Sequence, residues 1–427
     1  MEAIAEALFG ETCTCDYVGD AFPGADKYLG GVRGPNGAMY AVPGHASRVL
    51  AIEDGRTRLV GPTFKGKYKW LRGALGRDGA VYAIPCHATR VLRIRSSPEP
   101  GGEPLVDLVG RELPGEWKWH GAVEDPETGL IYAIPQTADR VLRVAPVGCL
   151  GNNAEPVVDY VGPALPGRWK FYGGLYSAQG RAIYGIPACA GGVLRIGLPN
   201  GDVSVVGSVP EGGWKWHGGC VTPDGQVFGI PSNASEVLRI QPKAGPDGED
   251  VVSLVPGPGG GPLIGGRHRD DHKYKYLGGV VAADGAMYCI PSDADRVLRV
   301  DPRGHCDYVG RDLSDLAKGQ SRGQNKWQNG FVGRDGCVYA IPLKCETVLR
   351  IDPAAPSEEC VSTVGGPFKG LNLWEGGVCG LDGALYCMPL KCDRVMRIAP
   401  RGADPLPSDG GSLWAGLSAA LGSRWLE

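Results

Sequence analysis

The chain has 427 residues and a formal net charge of −3, and its pI near 6.2 excludes the strongly basic balance of a general nucleic-acid binder. No apolar run reaches the length of a membrane span. With 69 glycines and 35 prolines, the composition suits many short strands joined by tight turns.

In chain order, residues 1–14 form a lead that opens MEAIAEALFGE. It lacks the basic start and long apolar region of a secretory signal, so a cytoplasmic location is expected. Cys15-Asp16-Tyr17-Val18-Gly19 then reads as an isolated strand. Beyond it the chain repeats one pattern, clearest at KWHGGCVTPDGQVFGIPSNASEVLRI from Lys215 to Ile240. Asp224-Gly225 separates two apolar β-forming runs as a hairpin turn. Pro231 cannot donate to a ladder and ends the second strand. A polar loop then leads to the third strand, EVLRI.

The aromatic-x-apolar-Pro signature recurs eight times, ending at Pro43, Pro85, Pro135, Pro187, Pro231, Pro291, Pro342 and Pro389. Spacings of this size belong to propeller blades. Most copies add a fourth strand ending in Val-Gly, as at Asp107 to Gly110 and Asp307 to Gly310. The eighth copy lacks one, and the Cys15–Gly19 segment carries the missing wording. The predicted fold is therefore all-β: a single closed eight-bladed propeller over residues 15–400, with four antiparallel strands per blade and the N-terminal strand completing the last blade. Such closure removes open sheet edges. A seven-bladed ring is the alternative if one copy is degenerate.

Between copies five and six, the glycine-rich insert Pro256 to Lys275 lacks the phosphate-loop pattern and is expected to be a flexible surface excursion. Residues 401–427 form a tail in which Trp414, Leu417, Leu421 and Trp425 recur at helical spacing. A short amphipathic helix is expected there, packed on the propeller or contacting a partner, on a monomer. Of the 14 cysteines, Cys289 and Cys387 share a small-residue column with Ala41, Ala83, Ala133, Gly185, Gly229 and Ala340. No CxxC or Cys/His zinc spacing occurs, so buried thiols are expected, with no metal and no cofactor.

With a Gly-x-Val first strand, a polar turn after the second and a third strand like RVLRV, the repeats resemble NHL-type and related propellers. The resemblance implies architecture only, because this fold hosts many activities. It also implies that the segments entering the first strand and those joining the second and third strands share one face, around one mouth of the central channel.

Three columns meet at that mouth. Lys27, Lys69, Lys118, Lys170, Lys215, Lys275 and Lys326 form the first, with Asn372 as the exception in copy eight. Beside it run Tyr28, Trp70, Trp119, Phe171, Trp216, Tyr276 and Trp327, with Leu373 in copy eight. One reading is structural: the aromatic fills the gap between blades and the ammonium reaches a carbonyl or solvent. The other makes the face a basic rim, joined by Arg48, Arg90, Arg140, Arg296 and Arg394, which concentrates anions. The third column breaks the repeat. Leu29, Leu71 and Leu277 give way to His120, Tyr172, His217, Gln328 and Glu375 on one side of the ring.

The sequence supports a non-enzymatic binding scaffold whose aromatic-lined rim recognises an anionic small molecule or an acidic protein segment. Lys118, Trp119, His120, Lys170, Tyr172, Lys215, Trp216, His217, Lys326, Gln328 and Glu375 are its candidate ligand contacts. The alternative is a propeller hydrolase or lyase with one site at the mouth, using His120, Tyr172, His217 and Glu375 in proton transfer. His45 and His87 occupy a variable loop column and are expected in solvated turns.

Overall fold

The computed structural model describes residues 13–243, 248–318 and 322–406. These residues form eight four-stranded antiparallel sheets, so the seven-bladed alternative is excluded. The expected C-terminal helix lies outside the described residues, as does most of the N-terminal lead.

Blade 1 runs through Tyr28–Arg33, Met39–Pro43, Val49–Glu53 and Arg56–Val60 in the sheet order of the chain. Blades 2 to 7 repeat this meander, and each first strand packs against the first strands of both neighbours, which makes it the innermost. The last sheet combines three C-terminal strands, Trp374–Cys379, Leu385–Pro389 and Val395–Pro400, with the N-terminal strand Cys13–Val18. Its register pairs Cys13 with Pro400 and Val18 with Val395. The junction with both neighbouring blades is tight. A side chain at Gly365 of blade 7 would meet the Cys15 sulfur, and one at Gly19 would meet Thr57 of blade 1.

The core is divided among the interfaces between blades. Eight apolar clusters each join two consecutive sheets, as when Tyr40, Val42 and Val49 of blade 1 meet Trp70, Val81 and Leu92 of blade 2. Close approach there explains the small-residue column: Ala41, Ala83, Ala133, Cys289, Ala340 and Cys387 are fully buried. All 14 cysteines are free thiols, and burial pushes those of Cys289 and Cys387 upward, away from the reactive thiolate.

On the hairpin side the Asp-Gly turns hold themselves. In blade 2, Asp78 accepts from the Ala80 amide at 3.1 Å and from the Tyr82 hydroxyl at 2.7 Å. Asp284, Asp335 and Asp382 bond the corresponding tyrosines Tyr288, Tyr339 and Tyr386.

The insert expected to be a flexible excursion is tied down. Leu263 is buried in the interface of blades 5 and 6. Arg269 bridges Asp271 and the buried Asp293, both at 2.8 Å. These contacts deliver Tyr274 to the channel mouth.

Candidate functional site

The lysine column lies inside the wall. An ammonium has three donors, and in blade 3 all three are taken: Lys118 Nζ donates to the carbonyls of Cys86, Ala88 and Gly115 at 2.9, 2.9 and 2.8 Å. Lys69 makes the same three bonds to Gly44, Ala46 and Gly66. Lys27 reaches Leu390 and Cys392 across the ring closure. Lys170, Lys215 and Lys326 likewise tie their own entry loop to the preceding blade through Ala138, Ala190 and Ala294. Burial lowers the Lys118 and Lys326 ammonium groups to about 8. Each of these lysines is therefore a staple between blades. Arg48 and Arg296 similarly donate to the carbonyls of Gly61 and Gly310.

The aromatic column is structural in the same way. Trp119 Nε1 donates to the Arg140 carbonyl at 2.9 Å, and Trp70, Trp216 and Trp327 repeat the bond about twenty residues downstream. The structure corrects the alignment of copy eight. Trp374, bonded to the Arg394 carbonyl at 2.8 Å, fills the aromatic position, and Leu373, whose amide donates to Leu343, stands in the lysine column. Asn372 and Leu373 are thus each one position from where the sequence alignment put them.

One residue earlier lies a column that sequence reasoning missed. Asp26, Tyr68, Trp117, Trp169, Trp214, Tyr274, Asn325 and Asn372 all have positive φ, between 46° and 55°. Asn and Asp tolerate this region, whereas a bulky aromatic there is an outlier. Five consecutive blades nonetheless hold aromatics in it, and the first four rings touch in sequence: Tyr68 to Trp117 at 4.6 Å, Trp117 to Trp169 at 5.6 Å and Trp169 to Trp214 at 5.6 Å. The signal is legible as Trp-Lys-aromatic, where one tryptophan is core and the other rim. His45 and His87, expected in solvated turns, are instead wedged into this arc at 4.3 Å from Tyr68 and 4.7 Å from Trp117. A histidine at that loop position can lie against the rim aromatic of a neighbouring blade, which a single blade's pattern does not reveal.

Below the arc, a β-bulge in every first strand re-aims the repeat-breaking column. In blade 3 the register shifts between Trp119 and Ala122, so His120 and Gly121 share the bulge. His120, Tyr172 and His217 thereby stack across three blades, with centroids 3.7 and 4.1 Å apart. On the far side Gln328 donates to Glu375 at 3.3 Å. Six of the second bulge positions are glycine, blade 7 has Asn329, and blade 2 has Arg72. Arg72 is the sequence's other unread exception.

Arc and floor enclose a cavity of about 550 Å³. Of the candidate residues, the structure brings His120, Tyr172, Trp216, His217, Gln328 and Glu375 to its lining, together with Arg72, Gln136 and Ser232. Lys118, Trp119, Lys170, Lys215 and Lys326 do not reach it. Arg72 and Glu375 are the charged groups of the lining, and no carboxylate lies within 4 Å of Arg72 among the described residues. Burial, reinforced by Arg72, keeps both floor imidazoles neutral and pushes His217 down to about 3. Burial raises the Glu375 carboxyl, and Arg72 and Gln328 pull it back. Among the described residues no cluster of His, Cys, Asp and Glu could hold a metal ion.

Fold and site together define a β-propeller with an aromatic-walled cavity at one mouth. Its fold is similar to that of a streptogramin B lyase, with a TM-score of 0.51 and 12% identity over 92% of this chain and 100% of the other. It is also similar to a catalytically inactive virginiamycin B lyase from Staphylococcus aureus with quinupristin, at 0.53 and 11% over 91% and 99%. A third likeness is to the hydrazine synthase of Kuenenia stuttgartiensis, at 0.50 and 13% over 90% and 98%. At these identities the likeness is one of fold. No protein-family model matches the chain, and no curated protein matches it in sequence.

Proposed function

We propose that the protein is a non-enzymatic binding propeller whose cavity takes one anionic small molecule with a flat or apolar body. The observation that carries this reading is the rim: aromatics in five consecutive blades, Tyr68 to Tyr274, held at φ of 47° to 55°. Strained backbone of this kind persists where the surroundings over-determine it, and it clusters at ligand sites. Arg72 supplies the sign of the charge. A guanidinium in an apolar-walled cavity with no ion pair among the described residues attracts a carboxylate or phosphate, which can accept two parallel hydrogen bonds from it. The volume lies within the range of small-molecule sites and favours a small molecule over a protein segment.

The test is a thermal-shift and calorimetric comparison of small organic acids with their neutral amides. The acids are expected to stabilise the protein and Arg72→Gln to remove the effect. Equal binding of acid and amide, or binding untouched by Arg72→Gln, would overturn the reading.

A second reading, favoured by the raised carboxyl of Glu375 beside Gln328, is a hydrolase or lyase in which Glu375 moves a proton. Turnover of a bound compound that Glu375→Gln abolishes while binding survives would establish it.

A further inference from the structure

Two buried polar atoms of the cavity lining have no partner among the described residues. Gln136, 2% exposed, leaves Oε1 unbonded, and His120, 8% exposed, leaves Nδ1 unbonded. Gln136 comes directly after Pro135 at the end of the second strand of blade 3. Its backbone is fixed on both sides, the amide donating to the Lys118 carbonyl at 2.8 Å and the carbonyl accepting from Lys170 at 2.9 Å. The side chain is thus carried on the same lysine-stapled frame that holds the aromatic rim. Other blades have Gly44, Cys86, Ala188, Ser232, Ser292, Leu343 and Leu390 at this position, and none of these carries a side-chain amide. A buried acceptor left without a donor costs roughly 1 to 3 kcal/mol.

We infer that the ligand is an aromatic acid with a hydroxyl or N–H donor on its ring: the acid group meets Arg72, the ring lies against Trp117 and Trp169, and the donor satisfies Gln136 Oε1. This rests on the anionic-ligand reading and adds the ring and the donor. The ring is required by the walls. Trp117, Trp169, Trp214 and Tyr172 present extended π surface, and Leu29, Leu71 and Leu277 add apolar surface to it. A saccharide acid carries a hydroxyl on nearly every carbon, and those facing the indole and leucine surface would lose water without gaining a partner. The donor is required by the unpaired oxygen. The stacked floor leaves His120 Nδ1 as a second point for a polar ring substituent.

The experiment is isothermal titration of the full chain with naphthoate, hydroxynaphthoate regioisomers, decahydronaphthoate and glucuronate. At least one hydroxynaphthoate is expected to bind about tenfold more tightly than naphthoate, the gain of one hydrogen bond to a buried, otherwise unpaired acceptor. Naphthoate is expected to outbind both decahydronaphthoate and glucuronate. Gln136→Leu and Gln136→Met should erase the hydroxyl advantage, so that within each variant the hydroxynaphthoates bind no more tightly than naphthoate. If every hydroxy isomer matches naphthoate in the unsubstituted protein, Gln136 is satisfied by water and the donor is refuted, whatever the variants do. If glucuronate binds more tightly than the naphthoates, the aromatic class is refuted while the anionic reading survives. If no acid binds at all, both fall together.

Discussion

The imidazole of His120 and the phenol ring of Tyr172, carried by adjacent blades, lie 3.7 Å apart between centroids and 26° from parallel. Neither ring could be placed by its own blade. The contact exists because a bulge in each first strand turns the same position inward, so that neighbours around the ring become stacking partners. The floor of the cavity is thus made between neighbouring blades.

Protonation should loosen that floor. His217 is held at about 3 in the folded protein, whereas an imidazole in the unfolded chain titrates near 6.5. The unfolded state binds the extra proton, so stability is fully present above pH 6.5 and is lost as pH falls toward 3, by at most about 1.4 kcal/mol per unit. His217→Gln is expected to flatten the decline in unfolding free energy between pH 7 and pH 5. An unchanged slope would show that His217 does not carry it.

Lys118 and Lys67 should respond differently to the same change. Lys118→Met strands the Ala88 and Gly115 carbonyls and leaves that of Cys86 with the Lys118 amide alone, and is expected to cost about 2 to 4 kcal/mol. Lys67 is exposed, and Lys67→Met should stay within about 0.5 kcal/mol. Denaturant unfolding of the two variants checks the contrast, and equal effects would return the lysines to a surface role.

Trp117 and Trp119 are two residues apart and do different work. Trp119 fills the interface of blades 2 and 3 at 2% exposure, so Trp119→Ala should cost about 3 to 5 kcal/mol. Trp117 sits at φ 51°, where asparagine is more comfortable. Trp117→Asn exchanges ring contacts for relieved strain and should change stability by no more than about 1 kcal/mol, while weakening binding of aromatic acids. Calorimetry with unfolding curves on each variant separates the two effects.

Closure of the ring is testable at Val18, 3% exposed in the interface of blades 8 and 1. Val18→Asp buries an unpaired charge and should cost more than about 3 kcal/mol. Removing residues 1–19 would expose Val395–Pro400 as an open edge, and self-association is expected. A monomeric, equally stable truncated chain on size-exclusion chromatography would contradict the closure.

The repeat itself determined the architecture. Eight prolines in register, a fourth strand missing after Arg397-Ile398 and its wording found at Cys15–Gly19 leave little freedom, because strand period, turn chemistry and pairing are local properties. Columns of small residues could be assigned to blade interfaces for the same reason. The direction each repeated column faces is not local. Lys118 and Trp117 are adjacent in the chain, yet one ammonium is consumed by carbonyls inside the wall while the neighbouring indole lines the cavity. That division depends on a left-handed backbone turn and on the preceding blade's loop, both set by packing between units. Arg72, Gln136, His45 and His87 were hidden likewise, since each acquires its environment from residues of another blade. Sequence periodicity names the ring, and only its closure in space decides which side chains meet at the axis.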